Sequence, residues 1–187
     1  SPTSTGGLIT KLAWQYAHTV SVVYPNQTCY FEAVDASTTT INSGTYVNPL
    51  TTSDVTRVWS GTLNVSQGWV EVTLDRPFLL LPGKNLIVHW HNNRGSYPGT
   101  AYTYNYTVTV GNTATYAQSD GAFPTSAGTL TANRPNARFY IIGQMNDSNS
   151  VAITEVISPN DTVRAYQNTP VQVVIQNKGM ANLTSCY

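Results

Sequence analysis

Apolar side chains recur at every second position through most of the chain, in short runs broken by Gly, Pro, Asn and Ser. A period of two sends successive side chains to opposite faces of an extended backbone, so each run reads as a half-buried strand. The runs cover residues 8–16, 20–24, 28–35, 55–63, 69–74, 85–91, 101–110, 113–118 and 138–142. Turn residues separate them: Pro25-Asn26, Ser66-Gln67-Gly68, Pro82-Gly83-Lys84, and Gly111-Asn112, which signals a hairpin. In the run from Trp69 to Asp75, Val70, Val72 and Leu74 are expected in the core, and Trp69, Glu71, Thr73 and Asp75 in solvent. No window repeats apolar residues at helical spacing for three turns. Strands at intervals of roughly 8–12 residues predict an all-β fold, an antiparallel two-sheet β-sandwich of jelly-roll-like form.

Composition agrees with that reading. Thr is the commonest residue, and 12 Tyr accompany it; β-branched and aromatic side chains suit a pleated surface. The pattern breaks at Gln144-Met145-Asn146-Asp147-Ser148-Asn149-Ser150, a polar linker. Residues 1–143 form the predicted sandwich, 144–150 the linker, and 151–187 two further strands, 151–157 and 171–176, around Ser158-Pro159-Asn160-Asp161. A tail below ~40 residues buries too little to fold alone, so it is read as the opening of a second, incomplete domain.

Charge excludes several functions. Nine basic and nine acidic residues cancel, and charged residues are 10% of the chain against ~25% in a typical domain. Such a chain lacks the basic surface that nucleic acid or an anionic membrane requires. The apolar run at Phe78-Leu79-Leu80-Leu81 stops at Pro82, far short of the ~20 residues of a membrane span. The stretch Ser1-Pro2-Thr3-Ser4-Thr5-Gly6-Gly7 has neither the basic nor the apolar part of a signal peptide, which reads as a mature or excised segment. Cys29, within a strand, is expected as a small buried hydrophobe rather than half of a bridge to Cys186.

Candidate chemistry is sparse. His89 and His91 sit at i and i+2 of one strand, ~6.6 Å apart on one face, so both imidazoles could reach one metal if a third ligand joined them. The competing reading is two polar residues flanking a buried Trp90. Glu71 and Asp75 share a face, but four residues separate them, about 13 Å along a strand. A retaining glycosidase needs ~5–5.5 Å and an inverting one ~6.5–9.5 Å. No Gly-x-Ser-x-Gly elbow, phosphate loop or Asp-rich calcium loop occurs. No cofactor is called for, although loop carbonyls and a lone Asp leave room for a structural calcium.

Binding has better candidates than catalysis. Tyr102, Tyr104 and Tyr106 share one face of one strand, and a row of tyrosines suits sugar rings, which lie on a flat apolar face while hydroxyls take polar groups. The same face continues as Val108 and Val110, and the inward side of a core strand is the preferred reading of that row. Arg94 and Tyr97, in the loop Asn92-Asn93-Arg94-Gly95-Ser96-Tyr97-Pro98-Gly99, are expected to face a ligand. The candidate ligand-binding set is therefore Arg94, Tyr97, Tyr102 and Tyr104, and the candidate metal pair His89 and His91.

An ordered set of motifs adds a resemblance. It comprises Val55-Thr56-Arg57-Val58-Trp59-Ser60-Gly61-Thr62-Leu63, Gly68-Trp69-Val70-Glu71-Val72-Thr73-Leu74-Asp75-Arg76-Pro77-Phe78, Gly83-Lys84-Asn85-Leu86-Ile87-Val88 and Asn133-Arg134-Pro135-Asn136-Ala137-Arg138-Phe139. The set resembles a module of Bacteroidetes surface and secreted proteins, exported as lipoproteins or by the type IX pathway. It spans residues 7–142 and implies a jelly-roll-like sandwich. The chain departs from that pattern at His89-Trp90-His91, where related modules are plainly aliphatic or acidic. Residues 170–179 resemble the first strands of bacterial cell-adhesion-related Ig-like domains, which serve as spacers. The resemblance implies an extracellular or cell-surface, non-catalytic module for adhesion or carbohydrate recognition, with carbohydrate or a host or bacterial surface protein as partner. The alternative is a structural spacer within a larger secreted hydrolase or adhesin.

Overall fold

The computed structural model describes residues 6–41, 55–96, 102–119, 121, 124, 128–143, 151–158 and 170–177. The chain divides into two compact units, residues 1–144 and 145–187. Every regular element described is a strand, and every pairing is antiparallel.

The first unit is built on two three-stranded sheets. Strands β1 (Gly7–Tyr16), β4 (Gly68–Leu80) and β10 (Ala137–Ile142) form one in the order β10-β1-β4. Strands β2 (Val22–Asp35), β3 (Val55–Val65) and β5 (Lys84–Asn92) form the other in the order β3-β2-β5. The chain therefore changes sheet between β1 and β2, between β3 and β4, and again between β4 and β5. One apolar cluster draws on both sheets: Ile9, Leu12, Val72 and Leu80 from the first, Cys29, Phe31, Val58 and Leu63 from the second. Ring contacts bridge the layers. Phe31 of β2 meets Phe78 of β4 at 5.4 Å and Phe139 of β10 at 6.2 Å. Trp90 of β5 meets Trp14 of β1 edge-on at 6.2 Å. This is the face-to-face arrangement of a sandwich, and the alternation in β4 matches it: Val70, Val72 and Leu74 are buried while Glu71, Thr73 and Asp75 are exposed.

Ser66-Gln67 and Pro82-Gly83 separate strands as expected, whereas two other breaks in period do not form the expected turns. Pro25-Asn26 does not end a strand; β2 runs through it as a bulge in which two residues face one on β3. Asn26 adopts φ 55°, a left-handed conformation that Asn tolerates better than most residues. Asp75, Arg76 and Pro77 likewise lie in a bulge of β4, where residues 74–77 stand opposite Thr10 alone.

Gly111-Asn112 is also not a hairpin turn. Strands β6 (Tyr106–Val108) and β7 (Ala114–Tyr116) do not pair with each other; they pair with β9 (Asn133–Pro135) and β8 (Thr129–Thr131). Residues 109–113 loop out of this ribbon, closed by the Thr109 and Thr113 hydroxyls at 2.6 Å and by the Thr109 N–H donating to the Ala132 carbonyl at 2.9 Å. Gly111 takes φ +82°, so the dipeptide does supply a left-handed bend. Pairing with residues 128–135, invisible locally, makes that bend a loop rather than a hairpin.

In the second unit, β11 (Val151–Ser158) and β12 (Gln172–Asn177) pair as a two-stranded sheet, close to the runs read from sequence. Cys29 is a free thiol with no exposure. Cys186 lies outside the described residues.

Candidate functional site

The tyrosine row divides where the ribbon leaves the sandwich. Asn105 donates its N–H to the Gln15 carbonyl at 2.8 Å, and Asn136 donates to the Asn105 carbonyl at 2.9 Å, so the chain pairs with β1 up to this junction and with β9 beyond it. Tyr102 and Tyr104, before the junction, pack against the core. Tyr106, Val108 and Val110, after it, are 55%, 68% and 99% exposed. The expectation of one continuous inward face is thus corrected: it holds for Tyr102 and Tyr104, and among the described residues nothing covers Tyr106, Val108 and Val110.

Tyr102 and Tyr104 belong to an aromatic cluster at one end of the sandwich. Tyr104 stands edge-on to Tyr16 at 5.3 Å, and Tyr102 edge-on to His18 at 5.3 Å. The Tyr16 hydroxyl donates to the Val20 carbonyl at 2.9 Å. Burial raises the pKa of Tyr16, Tyr24 and Tyr104 above the usual phenol value, and neighbouring phenols push the same way. Arg94 partly opposes this at Tyr24. These hydroxyls are therefore neutral at ordinary pH, each a donor and an acceptor.

Arg94 reaches this end from the loop after β5, its guanidinium 5.3 Å from the Tyr24 ring centroid, a cation–π distance. A polar chain fixes it there. Trp90 Nε1 donates to Gln27 Oε1 at 3.0 Å, and Gln27 Nε2 donates to Asn92 Oδ1 at 2.7 Å and to the Pro25 carbonyl at 2.9 Å. Asn92 Oδ1 also accepts the Arg94 N–H at 3.3 Å. Gln27 is only 2% exposed, so its side-chain amide satisfies three neighbours in a place where unpaired polar atoms are costly. The Arg94 Nη1 atom is buried with no hydrogen-bond partner among the described residues. Sequence reasoning found Arg94 and missed Gln27 and Asn92. An inward-facing Gln in an apolar strand was the signal. Tyr97, the other loop candidate, lies outside the described residues.

His89 and His91 occupy the outward face of the second sheet, opposite Tyr30 and Thr28 of β2. A carboxylate does approach in the fold: Glu32 Oε2 lies 2.9 Å from His89 Nε2. His91 packs its ring on Tyr30 at 5.0 Å and is 4% exposed. Burial, with a smaller push from His89, lowers its pKa from 6.5 to about 4, so the ring is neutral at pH 7. Among the described residues, no three His, Cys, Asp or Glu side chains come together as a metal-binding group. The two carboxylates weighed for hydrolysis are each engaged elsewhere, Glu71 with Lys11 at 2.7 Å and Asp75 with the Ser60 N–H at 2.9 Å; Asp35 pairs with Lys84 at 2.6 Å.

Comparison with protein-family models, with curated proteins and with solved structures found no match to this chain.

Proposed function

We propose that the first unit is a non-catalytic module for carbohydrate recognition or adhesion, and that sugar binds at the end formed by Tyr24, Arg94 and Tyr102. One observation carries this reading: Arg94 is held over Tyr24 by a buried polar chain while Nη1 has no acceptor among the described residues. A buried donor left unpaired costs about 1–3 kcal/mol, so a ligand oxygen that displaces the groups covering Nη1 and pairs with it gains up to that much. The Tyr24 phenol, neutral at ordinary pH, and the half-buried Tyr102 ring fit pyranose hydroxyls and C–H faces.

In this reading the sandwich is jelly-roll-like, the second unit opens an Ig-like spacer, and the parent is a secreted or surface-exposed Bacteroidetes protein. The ordered motifs between Val55 and Phe139 support that part. The test is a glycan array probed with the whole chain, followed by Arg94→Ala and Tyr102→Ala. Binding that falls about ten- to a hundred-fold in Arg94→Ala is expected. Silence across plant, mucin and bacterial glycans refutes the carbohydrate reading.

The spacer alternative has its own supporting observation. Tyr16 and Tyr104 spend their rings on each other and on the core. It predicts that same silence together with an Arg94→Ala variant as stable as the parent or more so.

A further inference from the structure

We propose a second binding site, for an acidic saccharide, in the cleft between the edge strands β3 and β4. It stands on its own residues and does not depend on the tyrosine end. The two lie apart along β2: Tyr24 marks one and Tyr30, paired with Arg57, the other, a separation of about 20 Å at ~3.3 Å per residue.

The cleft is created by the β4 bulge. Residues 74–77 stand opposite a single residue of β1, and a bulge re-aims the side chains it carries. Here the bulge carries Asp75 and Arg76 to the side of the sandwich where β3 presents Thr56, Arg57 and Trp59. These residues line a cleft of about 470 Å³, within the size range of small-ligand sites.

Its chemistry is specific. Two guanidinium groups, Arg57 and Arg76, line one cleft, and neither enters an ion pair among the described residues. Lys11, Lys84 and His89 each have a carboxylate partner; Arg94 and Arg138 rest on the Tyr24 and Trp69 rings, whereas Arg57 and Arg76 converge on one cleft. Paired guanidinium forks suit a carboxylate or sulfate, which accepts parallel hydrogen bonds. Asp75 lies beside them, with Oδ2 taken by the Ser60 N–H at 2.9 Å, leaving Oδ1 to accept from a ligand. A ligand matching this set carries an anion and a hydroxyl on neighbouring atoms. A uronic acid or sulfated sugar does so; the anion meets the arginines and the vicinal hydroxyl donates to Asp75. Trp59, stacked on Trp90 at 5.5 Å, adds a rigid aromatic wall for the sugar ring.

The experiment is amide NMR on the whole ¹⁵N-labelled chain, titrated separately with trigalacturonate, a sulfated galactose trisaccharide and neutral galactotriose. Shifts at Thr56 to Ser60 and at Asp75 and Arg76 are expected with one or both anionic sugars, and not with the neutral one. The sugar that binds tighter names the anion. Arg57→Gln and Arg76→Gln should each weaken binding about ten- to a hundred-fold, while Arg134→Gln, on the exposed strand β9, should leave it unchanged. Absence of shifts with both anionic sugars, or wild-type affinity in the double Arg variant, overturns the proposal. Equal binding by a tetraglutamate peptide overturns the assignment to saccharide.

Discussion

Acid should loosen the first unit through one side chain, His91. In the folded chain its pKa falls from 6.5 to about 4, chiefly because burial disfavours the imidazolium. The sign follows from linkage. Between those two values the unfolded chain binds the proton and the folded chain does not, so stability drops as pH falls below about 6.5 and the loss is complete below about 4. At pH 5 the unfolded imidazole is almost wholly protonated and the folded one about one-tenth protonated. The folding constant should then be about thirty-fold lower than at pH 7.5, or about 2 kcal/mol. For a chain of this size that corresponds to a fall in Tm of about 4–8 °C. Urea unfolding at pH 7.5 and 5.0, followed by tryptophan fluorescence, measures it. Trp14, Trp59, Trp69 and Trp90 all lie in the first unit, so the signal reports that unit alone. His91→Gln removes the titrating group and keeps the other acidic and basic groups, including the nearby His89–Glu32 pair. The variant should lose about 2 kcal/mol less than the parent between the two pH values. An equal loss in both proteins would refute the assignment of the effect to His91.

Three further outcomes are expected. Phe31→Ala removes a ring with no exposure that touches Phe78 and Phe139 across the sandwich; it should cost about 3–5 kcal/mol, whereas Val110→Ala, at 99% exposure, should stay within about 0.5 kcal/mol by the same urea assay. Gly6→Ala should destabilise by about 1–3 kcal/mol, because Gly6 has φ +69° and a Cβ there would stand 2.5 Å from the Leu80 carbonyl oxygen; a neutral result in thermal unfolding would contradict the close approach of β1 and β4. Cys29, fully buried and with its thiol pKa pushed up by burial, should resist a thiol-directed disulfide reagent at pH 8 in the folded chain and react promptly in urea; rapid labelling of Cys29 without urea would be the contrary result.

The candidate site was legible only in part. Arg94 could be singled out because it sits in a loop rich in turn residues between two strands, and loops carry binding groups. What holds Arg94 was not legible, because Gln27 and Asn92 lie 65 residues apart in the chain and meet only through the pairing of β2 with β5. The approach of Glu32 to His89 has the same origin. The arginine cleft follows likewise, since Asp75 and Arg76 gain their aspect from a bulge whose existence depends on how β4 pairs with β1.

What the amino-acid order determined by itself was local: the period of two, hence strands; the inward set in β4; and the places where Pro, Gly and Asn interrupt the period. These depend on neighbouring residues and on backbone sterics alone. Whether an interruption became a turn, a bulge or a loop was decided by tertiary pairing. Pro25-Asn26 sits in a strand because β3 pairs with β2 both before it, at Tyr24, and after it, at Gln27, and Gly111-Asn112 loops out because residues 128–135 claim both flanking segments. Burial was settled at the same level: Tyr104 and Val110 have equal claim to the core by alternation, and only Tyr104 has a second layer to cover it. Periodicity states which side chains share a face; only the packing of another sheet states whether that face is dry.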